Sequence, residues 1–127
     1  MNKLFNVSLA IACIFAASAV LLGAFAAHGL QSVLNENALN AFKTGVLYQF
    51  LHALALAITA ILALHFNSRL LTSSVILFTV GIICFSGSIY LLTLFSIKSI
   101  ALLTPLGGLL FVIGWLCLTA FAFIAKK

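Results

Sequence analysis

The chain has 127 residues, of which 65% are hydrophobic and only 6% charged, and its formal net charge is +5. Such a composition excludes an ordinary soluble globular domain. It also leaves no segment for a separate water-soluble catalytic domain, so the expectation is a single transmembrane domain over residues 1–127. The basic residues Lys3, Lys43, Arg69, Lys98, Lys126 and Lys127 are scattered over connections and ends. They read as topology signals beside membrane spans, not as a nucleic-acid surface.

Four apolar stretches follow one another, at about 4–27, 45–66, 70–95 and 104–125, each long enough for a helix to cross a hydrocarbon core of about 30 Å. None contains Asp, Glu, Lys or Arg. Lipid offers no partner for backbone N–H and C=O groups, so these stretches must be helices. The predicted fold is an all-α four-helix bundle in the bilayer.

The first stretch begins after Lys3 and ends in small residues, as a signal peptide does, but its apolar length favours a retained helix. Its residues Ala12, Ala16, Ala19, Gly23 and Ala27 share a face at helical spacing and are expected to pack. Between the first and second stretches lies the only substantial loop, roughly 28–44. Asn35 or Asn37 is a plausible N-cap there. Leu39, Phe42 and Val46 follow at helical spacing. The expectation is a short amphipathic outer segment, with the overlong first part of the second span as the competing reading.

The second stretch carries Tyr48, Gln49 and His52 near its entry, at spacings that place them on one face. A tight connection at 67–69 leads to the third stretch, where Gly81 and Gly87, the latter in the run Ser86, Gly87, Ser88 before Tyr90, are expected to pack. The fourth opens at Thr104, a natural N-cap, with Pro105 in the first turn. It contributes Gly107, Gly108 and Gly114 as packing residues. Trp115 lies at mid-span, so its indole is expected to be buried with a partner for its N–H. Cys13, Cys84 and Cys117 sit singly in three stretches without metal-ligand spacing and read as packing residues.

With four spans, both ends of the chain lie on one side. Placing them in the cytoplasm puts Lys3, Arg69, Lys126 and Lys127 inside and Lys43 and Lys98 outside, which the positive-inside rule favours. His28, Tyr48, Gln49, His52, Ser86, Ser88, Tyr90 and Thr104 then gather in the outer half. Intramembrane polar groups of this kind are a ligand-site hypothesis. Interhelical hydrogen bonding is the competing use. The only side-chain carboxylate, Glu36, is outside the spans, so neither proton-coupled cation export nor a dinuclear metal centre is supported. Two histidines are a weak haem pattern. A serine beside His52 is a fragment of a hydrolase set and no more.

Gly23-Ala24-Phe25-Ala26-Ala27-His28-Gly29-Leu30 resembles the GAFGAHGL signature of the YgdD-like family of small bacterial inner-membrane proteins, the domain of unknown function 423 family. Phe42-Lys43-Thr44-Gly45, Tyr48-Gln49 and His52-Ala53-Leu54-Ala55 are similar to its second motif. Phe85-Ser86-Gly87-Ser88-Ile89-Tyr90 resembles its third, and Thr104-Pro105-Leu106-Gly107-Gly108 with Phe111 and Gly114-Trp115 its fourth. The resemblance covers nearly the whole chain, with Ala26 standing where the signature usually has glycine, and extends distantly to mammalian transmembrane protein 256. It implies four spans and an inner-membrane location, and it supplies no reaction, cofactor or catalytic residue. A bundle acting by association with itself or another membrane protein is the leading expectation. A binding or transport protein for a small ligand, lipid headgroup or cofactor is the alternative.

Overall fold

The computed structural model describes residues 2–125, all helical or in short connections. Four long apolar helices run Lys3–His28, Glu36–His65, Arg69–Phe95 and Leu103–Ile124. The four spans expected from apolar length are therefore present. Lys126 and Lys127, on which the charge argument for orientation leans, lie outside the described residues.

Each start has a local cause. The Asn2 side chain accepts from Leu4 N at the head of the first helix, and Asn35 accepts from Ala38 N at 2.8 Å at the head of the second. Ser68 caps the third through Leu70 N. The fourth departs from expectation. Thr104 is not its cap: a 3-10 turn at Lys98–Ile100 feeds the helix one step early, and Leu102 stands at the cap position without a side-chain bond.

The separate amphipathic outer segment is also corrected. Residues 36–44 are the first turns of one unbroken helix of 30 residues. Nothing between Asn37 and Gly45 interrupts it, because Gly45 remains helical and is buried against Tyr90 and Ile89. At 1.5 Å per residue this helix is about 45 Å long, so its first turns overshoot the hydrocarbon core.

The first helix packs along the second and the fourth along the third, while the second and third meet in the centre. Leu56, Phe78 and Phe111 form the middle of the core with Ala12 and Ile82. Ala26, Leu30 and Phe42 close one end, and Ala63, Leu71 and Phe121 the other. The Asn2 side-chain amide donates to the Ala63 carbonyl, which pins the start of the first helix to the end of the second.

Small residues set the close approaches, though not all those expected. The buried line of the first helix is Ser8, Ala12, Ala19 and Ala26, a seven-residue rhythm that keeps one seam turned to a partner helix. Ala27 lies exposed beside that seam and Ala16 only partly buried. The expected face includes Ala12 and Ala19 of that seam, but its steps of four to Ala16, Gly23 and Ala27 lead to one side of it. Ala26, the residue that replaces a glycine, is 1% exposed, so its methyl group fits there. A Cβ on Gly107 would come within 2.8 Å of Phe85 Cα, and one on Gly81 or Gly114 within 2.7 Å of a phenylalanine ring. Gly23 is looser, at 3.4 Å from Val46. Gly108 touches Phe85 only at ordinary distance and Gly87 faces open space, so neither is a packing glycine. Cys13 is exposed and is not part of the packed core.

The third helix is not uniform. Ile83–Gly87 form a π-helical turn, which adds a residue to the local repeat and rotates the remainder of the helix. The helix stops at Ser96, in the left-handed region at φ 56°.

Candidate functional site

The polar side chains of the outer half fall into separate knots. Gln49 makes the widest one. Its Nε2 donates to the Phe15 carbonyl at 2.9 Å and to Ser18 Oγ at 2.8 Å, and its Oε1 accepts from the Tyr90 hydroxyl at 2.7 Å. The Phe15 carbonyl can only accept, so it fixes the amide orientation. One side chain thereby joins the first three helices at a position 4% exposed.

His52, 6% exposed, makes the second knot. Trp115 Nε1–H donates to its Nε2 at 3.1 Å, and its Nδ1 lies 2.8 Å from the Tyr48 carbonyl. An indole only donates and a carbonyl only accepts, so the imidazole is neutral with its proton on Nδ1. The ring stacks on Phe111 with centroids 3.6 Å apart, has Phe78 at 5.6 Å, and meets Tyr48 and Trp115 at about its margins. An aromatic cage is present, and the protein's own imidazole fills it.

The remaining knots are smaller. Ser86 Oγ, fully buried, donates to the Gly45 carbonyl at 2.6 Å. Ser88 Oγ reaches the Phe85 carbonyl and pairs with the Thr104 hydroxyl, joining the third helix to the fourth. The π-helical turn carries Ser86 and leads directly into Ser88 and Tyr90, so all three depend on its rotation.

Of the eight residues expected to gather, Gln49, His52, Ser86, Ser88, Tyr90 and Thr104 face neighbouring helices. His28 is exposed at the end of the first helix and joins nothing in the bundle. Tyr48 is 39% exposed and contributes its ring to the aromatic group instead of reaching the interior. Trp115 has the expected N–H partner but is 44% exposed, so its indole lines the margin of the bundle and is not buried. Ser18, the Phe15 carbonyl, Gly45 and Phe111 were not expected to participate. Ser18 sits in an alanine-rich run with no polar neighbour to flag it, and a backbone carbonyl has no sequence signal.

The chemistry of this arrangement is restricted. Every buried polar side-chain atom among the described residues has a hydrogen-bond partner. No three His, Cys, Asp or Glu side chains come together among them. Neither Ser86 nor Ser88 bonds to His52, whose ring nitrogens are both engaged.

Comparison with known proteins places these features in a lineage. The family model described as "Protein of unknown function (DUF423)" matches residues 22–108. A "UPF0382 membrane protein" of Haemophilus influenzae is 44% identical over 110 residues, covering 85% of this chain and 86% of its own. The "UPF0382 membrane protein YwdK" of Bacillus subtilis is 41% identical over 106 residues, covering 82% and 85%. No solved structure matches.

Proposed function

The chain belongs to the DUF423 family of small membrane proteins, and from that premise we propose that it is a non-enzymatic inner-membrane bundle that acts by associating with a second copy of itself. The carrying observation is that, apart from Ser8 and Thr59, which bond within their own helices, the buried polar side chains Gln49, His52, Ser74, Ser86 and Ser88 each bond to a neighbouring helix. They act as interhelical hydrogen-bond glue, each bond worth about 1 kcal/mol. Function is then left to the surfaces, and the surfaces within the bilayer are apolar.

The first and fourth helices are the least buried of the four. On the first, Ala10, Cys13, Ala17, Val20, Ala24 and Ala27 are all exposed, in alternating steps of three and four residues. That rhythm suits a second helix crossing at a shallow angle, and small side chains permit close backbones. The whole chain acts as a single transmembrane domain in this reading. Its ends face the cytoplasm, because Lys126 and Lys127 add to Lys3 and Arg69 at one end against Lys43 and Lys98 at the other. The alternative of a ligand held by His52 lacks support, since the ring has no free nitrogen.

Cys13 supplies the test. Mild oxidation of the protein in native membranes should give a disulfide-linked dimer through Cys13, and Ala17→Leu should abolish it. A protein that remains monomeric by native mass spectrometry and gives no Cys13 dimer at any density would overturn the proposal.

A further inference from the structure

Between the first helix and the third, at the level of the π-helical turn, a lateral crevice of about 290 Å³ opens. Its surface is mainly hydrocarbon, from Phe15, Leu22 and Ile82, and Ser18, Gln49 and Tyr90 form a floor where only a few polar atoms reach the surface. Gly87 lies at its edge, and a Cβ built there meets nothing within 4 Å. The first and third helices scarcely touch each other, so the crevice faces lipid and not another span.

The hydrogen-bond accounts of the floor decide what it accepts. Both Gln49 amide protons are used, on the Phe15 carbonyl and Ser18. The Ser18 proton points to the Phe15 carbonyl at 3.2 Å, and the Tyr90 proton to Gln49 Oε1. All the donors are thus committed internally. Acceptor capacity remains: one lone pair on Gln49 Oε1 and one on the Ser18 oxygen, while the Tyr90 oxygen already has the Ser86 hydroxyl beside it. A floor with spare acceptors and no spare donor discriminates by chemistry. It favours a group that donates a hydrogen bond and gives nothing to one that only accepts.

We propose that this crevice is a binding site for a membrane-soluble alcohol, an amphiphile that inserts a hydroxyl donor toward Gln49 and Ser18 and leaves its apolar chain in the bilayer. The walls match the chain and the floor matches the hydroxyl. Phospholipid ester groups, which only accept, lack the required donor. The site is independent of self-association and is complete within one copy.

The test uses a dodecanol carrying a photoreactive diazirine near its hydroxyl, alongside its methyl ether, which has the same tail and no donor. Both are added to the whole protein in vesicles, and adducts are mapped by mass spectrometry. The alcohol should label the segments around Phe15–Leu22 and Ile82–Gly87 about fivefold more than the ether, the factor that one net hydrogen bond supplies. Gly87→Leu should fill the crevice and remove that preference. It replaces a glycine within a helix at a spot with room for a side chain, and its thermal midpoint is measured to confirm folding. Equal labelling by alcohol and ether in the unmodified protein overturns the proposal whatever the variant does. So do adducts spread evenly over the lipid-facing surfaces, or an alcohol preference that persists in folded Gly87→Leu.

Discussion

His52 shows how a residue that resembles a functional histidine is used for assembly. Its Nε2 accepts from Trp115 and its ring lies flat on Phe111, so it links the second helix to the fourth. Trp115→Phe removes the donor and leaves Nε2 unpaired, at a cost of about 1–3 kcal/mol. His52→Phe combined with Trp115→Phe removes both partners. That double variant should lose less stability than the two single changes added together, because no orphaned polar atom remains. Thermal or denaturant unfolding in detergent measures the cycle, and strict additivity would show that the bond contributes nothing. Gln49→Leu should cost about 1–3 kcal/mol by the same assay, since it severs three interhelical bonds at once. At this scale the sequence was half legible. Gln49, His52, Ser86 and Tyr90 announce themselves as polar residues in apolar runs. Of their partners, Trp115 stands out by its mid-span position, whereas an inconspicuous serine and the carbonyls of Phe15, Gly45 and Tyr48 carry no such mark.

Among the elements, the helices were legible because membrane length and the demand for internal backbone hydrogen bonding leave a span no alternative. Their rotations were not. The π-helical turn at Ile83–Gly87 resets the face presented by everything after it, and no run of small or polar residues encodes that one-residue offset. This is why Gly87, expected to pack, faces open space, whereas Gly45, not expected to, meets Tyr90 and Ile89. The glycines therefore separate into a testable series. Gly107→Ala should cost most, about 1–3 kcal/mol, because its methyl group would strike the Phe85 backbone, which cannot rotate aside. Gly81→Ala and Gly114→Ala should follow, their methyls meeting ring edges. Gly87→Ala, Gly108→Ala and Cys117→Ala should change stability by about 0.5 kcal/mol or less. Equal losses across the six would mean that these backbones are not in close contact. At the end of the third helix, Ser96 holds a left-handed conformation that costs an L-residue about 1–2 kcal/mol. Ser96→Gly should stabilise by about 0.5 kcal/mol, once the greater freedom of unfolded glycine is deducted.

For the whole molecule, orientation in the bilayer is the property least determined by packing, since the bundle holds together equally well either way up. The helices alternate in direction, and the Asn2 bond to the Ala63 carbonyl brings the head of the first helix beside the tail of the second. Lys3 and Arg69 consequently lie at one end, and Lys43 and Lys98 at the other. Those two pairs balance, so the preference for cytoplasmic ends rests on Lys126 and Lys127. Single cysteines at Lys3, Asn37, Arg69 and Lys98, introduced after Cys13, Cys84 and Cys117 are replaced by alanine, make this measurable. A membrane-impermeant maleimide applied to spheroplasts should label positions 37 and 98, and should reach 3 and 69 only after permeabilisation. The inverse pattern would reverse the orientation while leaving four spans intact. Labelling that separates position 3 from position 69 would break the four-span arrangement itself. Removing the basic tail by Lys126→Ala and Lys127→Ala, read with the cysteine at Asn37 so that no further cation is lost, should blur the pattern into a mixture of both orientations, because each cation near a span end biases insertion and the remaining four cancel. A single unchanged orientation in that variant would mean that helix order or the uneven lengths of the spans, and not charge, directs how the bundle enters the membrane.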